Sequence, residues 1–92
     1  MKYEITDIRY VYNERHIPTA YFIAKDSFGF YFIKSVNVSG HSYTHYTRHY
    51  DYASALLHLQ RDIQSFKTVE ADKVCELNYR IQIGRASCRE RV

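Results

Sequence analysis

The chain is short of what marks membrane, exported or repetitive proteins. Its 92 residues include one proline, three glycines, two cysteines and no tryptophan. So little Pro and Gly leaves no linker, and there is no low-complexity stretch or internal repeat, so the chain reads as continuous fold. No apolar run approaches the roughly 18 to 20 residues that a bilayer demands. The opening MKYEITDI carries charge with neither an apolar core nor a small-residue cleavage site, so cytoplasmic synthesis is expected. What is present is apolar and aromatic: 46% hydrophobic and 16% aromatic residues, ten of them Tyr. That composition excludes intrinsic disorder, and the length limits the chain to one domain.

The last ten residues, IGRASCRERV, resemble, residue for residue, a common short-read sequencing adapter translated in one frame. The resemblance implies that residues 83–92 are not native and that residues 1–82 form the single compact domain. It also changes the charge. The tail holds three Arg and one Glu, so a net +3 from 13 basic and 10 acidic residues falls to +1 from 10 and 9. The basic pI is then no evidence for a nucleic-acid partner. Without the tail Cys75 stands alone, which predicts a small buried thiol and no intramolecular disulfide.

Alternation and turn residues predict the elements. Residues 3–12 read as a first strand and residues 17–25 as a second, with Pro18 at its start where a missing N–H does least harm. The run 28–33, FGFYFI, is apolar on both alternate faces and predicts a strand covered on both sides. Residues 42–50 predict a fourth strand. Asp51 then caps an amphipathic helix with Leu56, Leu59, Ile63 and Phe66 on its apolar side and Ser54, His58, Arg61 and Gln64 opposite. Cys75, Leu77, Tyr79 and Ile81 alternate with polar residues and predict a closing fifth strand. The expected class is α+β: an antiparallel sheet of four to five strands in the order ββββαβ, with one helix on one face.

Candidate chemistry concentrates in residues 41–52, HSYTHYTRHYDY, where three of five His and four of ten Tyr lie. Rings that stack on a planar base, beside Arg and His donors that meet phosphate, suit a nucleotide-type ligand. The expected ligand-binding residues are Tyr43, His45, Tyr46, Arg48, His49, Tyr50 and Tyr52. A metal is not expected: on a strand His41, His45 and His49 recur about 13 Å apart and cannot share an ion. His45-Tyr46-Thr47 is similar to the H-x-T motif of two-histidine phosphoesterases, but that family carries two copies and this chain one. No phosphate loop, nucleophile elbow or paired-carboxylate motif appears, so neither enzymatic activity nor a cofactor is expected.

Residues 1–82 resemble no known family over their length. Size, the assembly-derived tail and the lack of catalytic motifs resemble small phage accessory proteins that block host defence. Three functions follow in order of expectation. The first is a non-enzymatic binder that sequesters an anionic nucleotide-type ligand in the host cytoplasm. The second is an inhibitor that docks on a bacterial immune protein through its Tyr-rich face. The third is a single-stranded nucleic-acid module, weakened by the near-zero corrected charge. Phe28, Phe30 and Phe32 on one face, with Tyr31 and Ile33 on the other, exceed what one helix can cover and predict a homodimer.

Overall fold

In the computed structural model, which describes residues 4–81, three successive hairpins build one antiparallel sheet. Its strands are β1 (Glu4–Tyr12), β2 (Pro18–Lys25), β3 (Tyr31–Asn37) and β4 (Ser42–Thr44), in the spatial order of the sequence. Two helices follow, α1 (Tyr52–Ile63) and α2 (Ala71–Ile81).

The three hairpin turns share one chemistry. Asn13, Asp26 and Asn37 each close a turn with a side-chain oxygen that accepts two backbone N–H groups. Asn13 Oδ1 takes those of Arg15 and Ile17, Asp26 Oδ1 those of Phe28 and Phe30, and Asn37 Oδ1 those of Ser39 and His41. Short carbonyl and carboxylate side chains favour such turns because they satisfy amides that the ladder leaves unpaired. Three residues further on, the backbone swings to positive φ at His16 (63°), Gly29 (91°) and Gly40 (91°). This is the three-residue hairpin loop in which a left-handed residue restores the strand twist. Glycine adopts it freely. His16 does so against its Cβ.

Register then sorts the side chains. Ile23 pairs with Ile33 and Ala24 with Phe32, so each central strand has two buried faces. On one face Ile23 and Ile33 meet Ala55 and Leu59 of α1, flanked by Tyr21, Tyr31, Leu56 and Ile63. Asp51 caps this helix, its carboxylate accepting the Ser54 amide at 3.0 Å, as the sequence predicts. Alternation places Ala20, Phe22, Ala24 and Phe32 on the other face, also buried, and α2 packs against these same two strands with Leu77 buried. The expectation that the central strand is covered on both sides is met within the chain. The surplus apolar surface that predicted a homodimer is therefore mostly used up: Phe32 is 1% exposed, while Phe28 sits 84% exposed in the β2–β3 turn, outside the strand expected to hold it.

Three sequence expectations are corrected here. Residues 71–81 are helical, and the described residues contain no closing fifth strand. Val74, Leu77 and Ile81 recur at spacings of three and four, a helical period hidden beneath the alternation of Cys75, Leu77, Tyr79 and Ile81. The open edge of β1 is taken instead by residues 67–69: the Tyr12 amide donates to the Lys67 carbonyl at 2.8 Å and the Val69 amide to the Tyr10 carbonyl at 3.0 Å. Cys75, half-buried on α2, is disulfide-bonded, where a free thiol was expected. Its partner, like residues 83–92 and their adapter-like sequence, lies outside the described residues. The fourth strand ends at Thr44, six residues before its expected end.

Candidate functional site

That early end shapes the site. The His45 amide still donates to the Ile33 carbonyl at 2.9 Å, and His49 exchanges both backbone bonds with Tyr31 at 2.8 and 2.9 Å. Residues 33 to 31 advance two positions while residues 45 to 49 advance four. Two extra residues therefore bulge out between these anchors, and the segment 45–49 forms an arch beside α1. An even excess keeps His45 and His49 on one face and draws them together. Both rings stand edge-on to His58 of α1, with centroids 4.4 Å away for His45 and 5.0 Å for His49. The distance argument that separated these histidines holds for a straight strand and fails for the arch.

Hydrogen bonds fix the cluster. His49 Nε2 and His58 Nδ1 lie 2.9 Å apart, so one ring carries the shared proton and the other accepts it. The other nitrogen of His58 faces the Asp62 carboxylate at 3.5 Å, one helical turn along α1. His45 Nδ1 accepts the Thr47 amide at 3.2 Å. Burial lowers the His58 pKa below the ordinary imidazole range; Asp62 pulls it up, and His45 and His49 add to the lowering.

Beside the cluster is an open pocket of about 410 Å³ lined by Thr47, His49, Ser54, Leu57, His58 and Arg61. Its polar lining is one guanidinium, two imidazoles and two hydroxyls, with Leu57 as the apolar wall; the Ser54 hydroxyl already donates to Asp51, and both His58 ring nitrogens face His49 and Asp62. Thr47 and His49 come from the arch and the other four residues from α1, so the pocket exists only because arch and helix meet.

The seven expected ligand residues divide among several places. His45 and His49 enter the cluster, and Tyr46 lies 5.0 Å from the His45 ring with its own ring 85% exposed. Arg48 turns away from the pocket. Its guanidinium lies 4.1 Å from the Phe32 ring centroid and donates to the His45 carbonyl at 3.2 Å, with Asp26 3.8 Å off. It serves as a clamp that holds the arch to the sheet. Tyr50, also exposed, packs on Phe30 at 5.1 Å. Tyr52, the first residue of α1, donates its hydroxyl to Asp7, and that bond raises its pKa. Asp7 itself holds φ at 56° where the β1 register shifts. Tyr43 stands edge-on to the His45 ring at 6.2 Å and also lines a second groove with Asn37, His41 and Ser42.

Thr47, Ser54, Leu57, His58, Arg61 and Asp62 are the members that the sequence did not single out as a site. The polar helix face containing His58 and Arg61 was legible, but its meeting with the histidines of the arch depends on the bulge. No known protein family, curated protein or solved structure matches this chain.

Proposed function

We propose that this chain is a small non-enzymatic binding protein that holds an anionic, nucleotide-type ligand in the pocket between the arch and α1. The observation that carries this reading is the convergence of the Arg61 guanidinium, the His49 imidazole and the Thr47 hydroxyl on one opening of about 410 Å³. A few hundred Å³ is the size of a small-molecule site. A guanidinium beside an imidazole and a hydroxyl is the donor set that phosphate oxygens accept from. Tyr46, exposed beside His45, offers a ring for base stacking.

The test is a thermal-shift screen against nucleotides, cyclic nucleotides and ADP-ribose derivatives. A bound ligand raises Tm by mass action. The expected result is a shift that disappears in Arg61→Ala and persists in Arg48→Ala, because Arg48 is engaged with Phe32 and the His45 carbonyl. An unchanged shift in Arg61→Ala overturns the placement of the ligand.

A second reading has its own observation. Phe28, Tyr46 and Tyr50 are each more than four-fifths exposed, and Leu57 more than half. Exposed aromatic anchors of this kind favour a protein partner, and a bacterial immune protein is the class that the resemblance to phage accessory proteins implies. No ligand-induced shift in the screen, together with capture of a defined protein that Tyr50→Ala abolishes, selects this reading.

A further inference from the structure

The cluster behind the pocket, which shares His49 and His58 with it, has a chemistry of its own. His45, His58 and Asp62 each present one ligating atom, and these atoms lie within 4.8 Å of one another. We propose that His45, His58 and Asp62 bind a divalent transition-metal ion, with Zn²⁺ as the fitting species and His49 as the residue that orients His58.

Two imidazoles and one carboxylate are the donor set of three-coordinate protein sites that keep one position open. The spacing suits it. A tetrahedral ion with bonds near 2.0 Å sets its ligand atoms about 3.3 Å apart, and His58 Nε2 already lies 3.5 Å from Asp62 Oδ2. These two are fixed by the helix, being residues i and i+4 of α1. His45 approaches from the arch, its ring edge-on to His58 at 4.4 Å, and its ligation by either nitrogen releases the Thr47 amide that its Nδ1 accepts at 3.2 Å.

His49 completes the arrangement. A ligating His58 Nε2 must offer a lone pair, which places the ring proton on Nδ1. That Nδ1 lies 2.9 Å from His49 Nε2, in position to donate to it. Metal-bound imidazoles regularly donate their second N–H to such a partner, which fixes tautomer and ring plane. His49 is thus a positioning residue, and the fourth metal position is left to water or to an anionic group of a ligand. The inference stands apart from the nucleotide reading, because the ion is held by the cluster without any other ligand.

Isothermal titration of the full chain with ZnCl₂ tests it, run without reductant so that Cys75 stays in its disulfide. The account expects one ion per chain, with affinity reduced at least about tenfold in Asp62→Asn and in His58→Gln. His49→Gln keeps the stoichiometry and weakens binding by about 10- to 100-fold. Histidine side-chain ¹⁵N spectra supply the second readout: Zn²⁺ moves the His45 and His58 resonances and leaves His16 and His41 in place. No binding heat overturns the proposal. So does binding that survives both Asp62→Asn and His58→Gln, or a spectrum in which only His16 or His41 responds.

Discussion

The hairpins of β1 to β3 and the arch over α1 are built from the same kinds of residue, yet they fold under different controls. In the hairpins, alternation, turn chemistry and burial agree at every step: Asn13, Asp26 and Asn37 each place their amides, and Ile23 and Ile33 point to the same core. In the arch, a Tyr, Thr and His sequence with full strand propensity leaves the ladder at His45 and rejoins it at His49. Within it the Thr47 amide donates to His45 Nδ1 and Arg48 to the His45 carbonyl, but no turn residue of the hairpin kind starts the excursion. It is held from outside, by Arg48 on Phe32 and by His58 on α1. Segments in which local preference and tertiary structure disagree are where function is expected, because there the chain departs from its local optimum.

The comparison can be broken most forcefully from the hairpin side. Phe32 is buried between the strands and carries the Arg48 clamp, so Phe32→Ala is expected to cost about 3 to 5 kcal/mol in chemical denaturation. Its loss also frees the arch, and the His45 and His49 resonances should broaden while the variant is still folded. A smaller effect isolates the turn design. A Cβ at Gly29 meets nothing within 4 Å, so Gly29→Ala pays only for the left-handed backbone, about 1 to 2 kcal/mol. At the equivalent position of the first turn the sign reverses. His16→Gly relieves the same conformation and is expected to stabilise by about 0.5 kcal/mol, relief set against the extra entropy of an unfolded glycine. Equal losses at Gly29 and His16 would show that the turns are not equivalent.

On the arch side the expected stability effects are small. Tyr46→Ala should change stability by less than about 0.5 kcal/mol, since its ring is exposed. A larger loss would make Tyr46 part of the core and remove it from the site. The helix that carries His58 gives the weakest signal, through pH. The bonds from the Ser54 amide and hydroxyl hold the Asp51 carboxyl below its ordinary value near 3.8. A carboxyl lowered in the folded state adds stability above that ordinary value, and the gain is lost as pH falls through the folded value. Asp51→Asn keeps an acceptor for the cap and cannot titrate, so its stability profile should be flatter in acid. An identical acid limb in both proteins would contradict the cap's role.

What was legible in the sequence follows the same division. The four-stranded meander, the Asp51 cap and the apolar stripe of α1 depend on neighbours within a few residues, and they were readable. The placement of the candidate residues follows a different logic. His45, His49 and Tyr46 stood out by composition, but Arg48, Tyr50 and Tyr52 stood out equally and serve the sheet, the Phe30 ring and Asp7. His58 and Arg61 looked like a solvated helix face. Only the two-residue excess between His45 and His49 turns that face into a pocket wall, and a bulge has no signature in alternation, because an even insertion leaves the pattern unchanged. The final helix was misread for a related reason. In Val74, Cys75, Leu77 and Ile81 the periods of two and of about 3.6 overlap, and only the occupied edge of β1 decides between them.

The arch brings His45 and His49 onto His58. Histidine side-chain NMR of the full chain and of His58→Gln measures it directly. The account predicts that the substitution shifts the ring resonances of both His45 and His49 and leaves His16 and His41 unmoved. Unchanged His45 and His49 resonances, or a His41 shift as large as theirs, would contradict it.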